Sequence, residues 1–305
     1  MESIISQYQV PFLRVGSFLE RFPEGIYSII QNTGGLFVPE KIGANEQLQP
    51  HFLVRGVLKN SPTGRIKIKK VGSLLFISWK DSEEVTPIER RVREIHQDWF
   101  FHKDTIYSGS YRTNMFHLLN PLHLKSVHKL SQNGIVLDQV TGYIPTDNGG
   151  ILEFDSRIDR KEEQKNIWVV KKLNSMFERV NPNVKMLRQD KFQNKLILHG
   201  PCTTELSILF PENKYVSMVF NLGMHTERST NVFIDYYSNL GMPKPLLKFF
   251  FMLVSPIVVS EDQKYLRRLA SKGPKFFNEP RKQVEYSHFL GLYRRFSELY
   301  PVETS

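Results

Sequence analysis

The chain has a single cysteine, Cys202, in 305 residues. A lone thiol excludes a disulfide framework and any cysteine-rich zinc or iron-sulfur site built from this sequence alone, so Cys202 reads as a small buried hydrophobe. Long apolar runs are scarce too. The longest, Leu246 to Val259, is interrupted by Lys248 and Pro256 and is too short to span a bilayer. It reads as core, with a segment dipping into a membrane surface as the other option. No Gly-x-Gly-x-x-Gly, phosphate loop or Gly-x-Ser-x-Gly elbow occurs, so nucleotide hydrolysis and serine-hydrolase chemistry lack their usual positioning devices. The zinc-metalloprotease helix is missing as well. Met1-Glu2-Ser3 lacks the basic start and apolar run of a secretory signal, although a plastid transit peptide is not excluded on that ground.

What is present is an ordinary globular composition, 40% hydrophobic and 24% charged, with room for a large core in one or two domains. The net charge of +10 points to an acidic partner or surface. Lys67-Ile68-Lys69-Lys70 carries charge suited to nucleic acid, but its lysines alternate with apolar residues, as on a strand with one solvated face, and no nucleic-acid partner is expected.

Turn residues crowd the first fifty positions. His51 to Leu58, a turn at Asn60-Ser61-Pro62-Thr63-Gly64, and Arg65 to Trp79 around Gly72 then read as strand, turn and hairpin, the end of a small β domain. Asp81-Ser82-Glu83-Glu84 is a charged connector, and Pro87 to Trp99 is ambiguous between helix and extended chain. Tyr111 to Leu130 reads as helical, with Asn120 a natural N-cap and Pro121 at the first helical position. Ile167 to Val170, Leu196 to His199, Glu205 to Phe210, Tyr215 to Leu222 and Val232 to Tyr237 read as strands. Ser260 and Gln263 are spaced as a capping box opening a final helix. The simplest architecture is α+β, a curved antiparallel sheet wrapped on helices.

The motif that carries chemistry is Asn120-Pro121-Leu122-His123-x4-His128, with Ser260-Glu261-Asp262-Gln263 far downstream. Two imidazoles and a carboxylate are the ligand set of a catalytic ferrous iron with open positions. Residues five apart on a straight helix diverge by about 140 degrees, so His123 and His128 need a bend to face one point. The remaining histidines form no further ligand spacing. His117 reads as structural or as an extra polar group near a metal, and His199 and His225 are candidates for a cavity wall.

The segment Tyr111-x4-Phe116-His117-Leu118-Leu119-Asn120-Pro121-Leu122-His123-x4-His128 resembles the iron-binding segment of Rieske-type non-haem iron oxygenases. It is most similar to the pheophorbide a and chlorophyllide a oxygenase branch. Val71 to Asp81 looks like the last hairpin of that family's Rieske domain, and Val258-Val259-Ser260-Glu261-Asp262-Gln263-x2-Leu266 like the segment carrying its third iron ligand.

The resemblance implies Fe(2+) held by His123, His128 and Asp262, with Glu261 as the neighbouring alternative. It also implies a helix-grip (START-like) catalytic domain over residues 86–305, preceded over residues 1–85 by a degenerate Rieske-like β domain. Two departures matter. Cys202 alone cannot make the family's cluster, so electrons would come from a cluster-bearing homologous subunit in a trimeric or hexameric ring, fed by an acidic ferredoxin-type donor. Asn120 stands where the family has an aspartate linking a cluster histidine of the adjacent subunit to an iron histidine, and an amide carries no charge. Phe116 and His117 likewise replace an acidic residue and an asparagine common there. The implied function is the mononuclear-iron subunit of a split oxygenase acting on a bulky hydrophobic substrate, with a chlorophyll-type tetrapyrrole as the leading candidate. The alternatives are a non-catalytic pseudoenzyme subunit and a hydrophobic-ligand-binding module of the same fold. The expected location is cytoplasmic, or plastid and thylakoid-associated with peripheral membrane contact.

Overall fold

The computed structural model describes residues 10–14, 25–31, 37–41, 66–78, 86–128, 135–159, 172, 175, 191–226, 228–271 and 289–300. Two antiparallel sheets form its frame. The smaller contains β1 (Val10–Arg14), β2 (Gly25–Gln31), β3 (Phe37–Lys41), β4 (Ile66–Val71) and β5 (Leu74–Ser78) in the order β1-β5-β4-β2-β3. The larger contains β6 (Trp99–Ser108), β7 (Ile135–Thr146), β8 (Gly149–Ile158), β9 (Lys191–Gly200), β10 (Thr203–Phe210), β11 (Lys214–Thr226) and β12 (Ser229–Ser238), ordered β6-β12-β11-β10-β9-β8-β7. The architecture is α+β, as the sequence implies. The proposed strands at His51–Leu58 and Ile167–Val170 lie outside the described residues.

The β4–β5 hairpin turns at Gly72, whose φ of +59° is a left-handed conformation that glycine adopts without a Cβ penalty. Gly149, opening β8, is needed for a different reason: a Cβ there would come within 1.9 Å of the Leu198 carbonyl oxygen on β9. The long strands β6, β7 and β8 are not among those expected from the sequence. β7 is the edge of the sheet and mostly exposed, so its alternation is blurred.

Among the described residues, five α-helices cover the large sheet: α1 (Pro87–Ile95), α2 (Tyr111–Leu119), α3 (Leu122–Val127), α4 (Lys244–Ser271) and α5 (Gly291–Leu299). The ambiguous Pro87 segment is helical because Thr86 and Glu89 close a capping box around Pro87. Ile88, Val92 and Ile95 of α1 pack with Val71, Leu74 and Phe76 of the small sheet against Val219, Phe233 and Tyr237, which sit on one face of the large sheet. The alternate residues Val232, Ile234 and Tyr236 point to the opposite face, where they pack with Leu247, Val259 and Leu266 of α4. On that same face α2 and α5 pack over Leu152, Phe154, Leu196 and Leu198.

The capping box expected at Ser260 is a correction. The helix begins at Lys244 and runs through Ser260 and Pro256 without interruption. Buried Ser255, Val259, Asp262, Leu266 and Leu269 recur at steps of three or four residues, with Leu247 two turns earlier on the same stripe, and this burial overrides the local cap signal. Pro256 is exposed, so the hydrogen bond it cannot donate frees a carbonyl on the solvent side rather than in the core.

Candidate metal centre

Asp262 is the only ionisable residue in the buried stripe of α4. A carboxylate in an apolar stripe is costly unless partners meet it. They come from α2 and α3. The α2 helix is capped by Ser110, whose hydroxyl accepts from the Thr113 N–H, and ends at Asn120 in an extended conformation (φ −108°, ψ 95°), which Pro121 enforces on the residue before it. The helical stretch expected from Tyr111 to Leu130 is therefore two helices meeting at Asn120-Pro121. His128 then leaves α3 with a non-helical ψ of 56°. The second irregularity supplies the bend that the His123–His128 spacing demands, and the first redirects α3 relative to α2.

The result is a buried cluster. His117 Nε2 lies 2.9 Å and His128 Nε2 3.3 Å from Asp262 Oδ1. The Tyr107 hydroxyl donates to Asp262 Oδ2 at 2.9 Å. The His123 ring centroid is 4.2 Å from that of His117 and 5.4 Å from that of His128. His117, His123 and Asp262 each offer a ligand atom, all within 4.8 Å of one another. His117 and His128 are only 1% and 2% exposed.

The electrostatics follow from this packing. Burial alone would raise the Asp262 carboxyl, but His117 and His128 outweigh it and hold the group well below the usual carboxylate range. Burial, reinforced by the neighbouring His117 and His128, pushes His123 well below the ordinary imidazole value, so it stays neutral with a lone pair available. Its Nδ1 sits 2.6 Å from the Asn120 carbonyl oxygen, which can only accept, so Nδ1 carries the proton and Nε2 is the free ligand atom. Burial and Asp262 raise Tyr107 well above the ordinary phenol value, keeping its hydroxyl a donor.

A divalent metal fits this donor set. His117 Nδ1 and His128 Nδ1 are buried without a hydrogen-bond partner among the described residues. Glu261 Oε2 stands 3.5 Å from His128 Nδ1, near enough for attraction and too far for a good hydrogen bond. A small contraction around an ion would bring that carboxylate into the usual outer-shell role behind a histidine ligand.

The residues singled out in the sequence are distributed as follows. His123, His128 and Asp262 converge, and Glu261 lies behind His128 rather than in the centre. Asn120 does not reach the carboxylate cluster through its side chain: Oδ1 accepts the Leu122 N–H at 3.1 Å, while the residue itself closes α2 and Pro121 holds the N-cap position of α3. His199 pairs with Glu205 and lines a cavity with Arg91 and Tyr215 rather than this site. The side chain of His225 lies outside the described residues. His117 and Tyr107 were underrated or missed. The one available signal for His117 was its departure from the resembling family's usual residue, and Tyr107 had none, because β6 itself was not foreseen.

No family model matches the chain, and no curated protein matches it. Solved structures do. Dicamba monooxygenase bound to dicamba is 13% identical, with 98% of this chain and 94% of that chain covered and a TM-score of 0.52. Apo dicamba monooxygenase is 11% identical over the same shares, with a TM-score of 0.51. A quaternary ammonium Rieske monooxygenase follows at 12% identity, 98% and 89% coverage and a TM-score of 0.49, too low to weigh. At these identities the likeness carries the fold: the chain has the α+β architecture found in dicamba monooxygenase.

Proposed function

We propose that the chain is the mononuclear-iron catalytic subunit of a split Rieske-type oxygenase. The observation that carries this reading is the convergence of His117, His123 and His128 on Asp262 in one buried site. Its fold, shared with monooxygenases, agrees with it. When bound, ferrous iron supplies open coordination positions at which dioxygen is activated. His123 presents Nε2 because Asn120 fixes its tautomer. Asp262 stays anionic, with Tyr107 occupying Oδ2 and leaving Oδ1 turned toward the imidazoles. Glu261 stands behind His128.

On this reading residues 86–305 form a helix-grip catalytic domain and residues 1–85 a Rieske-like β domain without a cluster. One cysteine cannot ligate a cluster, so a cluster-bearing homologous subunit, in a trimeric or hexameric ring, delivers electrons from an acidic ferredoxin-type donor to this centre. The substrate is bulky and hydrophobic. The Asn-Pro-Leu-His segment makes a chlorophyll-type tetrapyrrole the first to try, which would place the protein in a plastid at a thylakoid surface. No helix among the described residues is long and apolar enough to cross a membrane, so such contact would be peripheral. Iron analysis tests the core of the proposal: wild-type protein should hold about one ferrous ion per chain and His123→Ala or His128→Ala close to none. Unchanged iron in both variants would sink it.

One observation favours a second reading, a docking pseudoenzyme. The Asn120 amide spends its oxygen on Leu122 and offers no charge at the expected subunit junction. Turnover only when this chain is mixed with its cluster-bearing relative supports the oxygenase; assembly without turnover supports the pseudoenzyme.

A further inference from the structure

The resemblance assigns two imidazoles and a carboxylate to iron, yet the centre contains a third imidazole at closer range. His117 Nε2 is nearer to Asp262 Oδ1 than His128 Nε2 is, at 2.9 Å against 3.3 Å. It is His117, not His128, that completes the set of mutually close ligand atoms with His123 and Asp262. Two ligand atoms at right angles about a metal ~2.1 Å away lie ~3.0 Å apart, and two opposite ones ~4.2 Å apart. The His117–Asp262 and His128–Asp262 separations match the first value, and the 4.8 Å within which the His117, His123 and Asp262 ligand atoms lie exceeds the second by ~0.6 Å.

A purely structural role for His117 explains less. One hydrogen bond to Asp262 needs one imidazole, and His128 is also within reach of the same oxygen. His117 is 1% exposed, and its Nε2 and that of His128 both crowd onto Asp262 Oδ1, so two buried imidazoles share one acceptor atom. A cation is the partner that can satisfy several neutral imidazole lone pairs meeting at one point. The ring is also held ready, tilted against Tyr265 at 5.4 Å and anchored in the last turn of α2.

We propose that His117 is a direct metal ligand, giving this chain a centre of three histidines, His117, His123 and His128, and one aspartate, Asp262. It rests on the reading of the centre as a metal site and deepens it. A fourth protein ligand leaves about two of six octahedral positions exchangeable instead of about three, which narrows what dioxygen and substrate can share.

The test uses the full chain loaded with Cu(II), in which pulsed electron paramagnetic resonance counts coordinated imidazoles through their remote nitrogens. Wild type should show three and H117N two. In parallel, H117N should weaken Co(II) binding by more than ~100-fold, beyond the ~10–100-fold expected for an outer-shell partner. Two imidazoles in the wild type, or a count unchanged by H117N, overturns the proposal while leaving the iron reading intact. A wild-type protein that takes up no Cu(II) or Co(II) defeats the metal reading itself. If H117N does not fold, as judged by its thermal melt, H117Q gives the comparison and the wild-type count still decides.

Discussion

Among the buried carboxylates, Glu205 and Asp262 lie on opposite faces of the large sheet, and they are solved differently. Glu205, fully buried on β10, receives the Arg91 guanidinium through Nε and a terminal nitrogen at 2.7–3.2 Å, the Ser207 hydroxyl at 2.7 Å, and His199 Nε2 at 2.9 Å. Burial would raise it, but the His199 and Arg91 contacts win and hold it well below the usual carboxylate range. Its main partner is a permanent cation in a two-pronged grip, and every oxygen is used. Asp262 has only imidazoles and one phenol around it, with orphaned ring nitrogens nearby. The first arrangement is complete without help and ties α1 to the sheet. The second leaves buried ring nitrogens without hydrogen-bond partners among the described residues, and the proposed function assigns a cation to it.

The largest effect that could break this contrast is on metal. Asp262→Ala should lower iron from about one per chain to near zero, whereas Glu205→Gln should leave it unchanged. Equal losses in both variants, measured by metal analysis of folded protein, would erase the distinction.

Stability should separate them in the opposite sense. Glu205→Gln leaves Arg91 facing a neutral amide and should cost on the order of 3 kcal/mol in urea unfolding at neutral pH. The accompanying pH dependence has a fixed sign. Glu205 has a depressed folded pKa, so its contribution is full above its unfolded value of about 4.3 and is lost as pH falls below that. Wild-type stability should therefore fall more steeply than that of Glu205→Gln between about pH 5 and pH 3; parallel curves would mean that Glu205 is not held ionised.

Tyr107→Phe sharpens the comparison from the other side. It removes the donor on Asp262 Oδ2 and should cost about 1–3 kcal/mol, with metal affinity down ~10–100-fold as for an outer-shell partner. Calorimetry of the metal-free protein and Co(II) titration read the two effects. The smallest change is expected for Asn120→Asp. A carboxylate caps Leu122 as well as the amide does, so stability should stay within ~0.5 kcal/mol, iron should be retained, and turnover with a cluster-bearing partner should be equal or faster. A large loss of turnover with iron intact would show that the asparagine itself is required.

Much of this was legible in the chain. The helical character of Tyr111 to Leu130 was readable although its division at Asn120-Pro121 was not, the alternating strands after Leu196 announced an antiparallel sheet, and His123, His128 and Asp262 stood out as residue types that seldom enter a core without a task. Local spacing, turn chemistry and residue type are written in sequence, because each acts within a few neighbours. Other features depend on contacts between distant segments. The Ser260 cap signal lost to a buried stripe spanning all of α4, and His199 went to Glu205 because strand alternation turned it to the other face. His117 entered the centre for the same kind of reason: the angle between α2 and α4, set by the core packed between them, brings its ring to within 2.9 Å of a carboxylate 145 residues away.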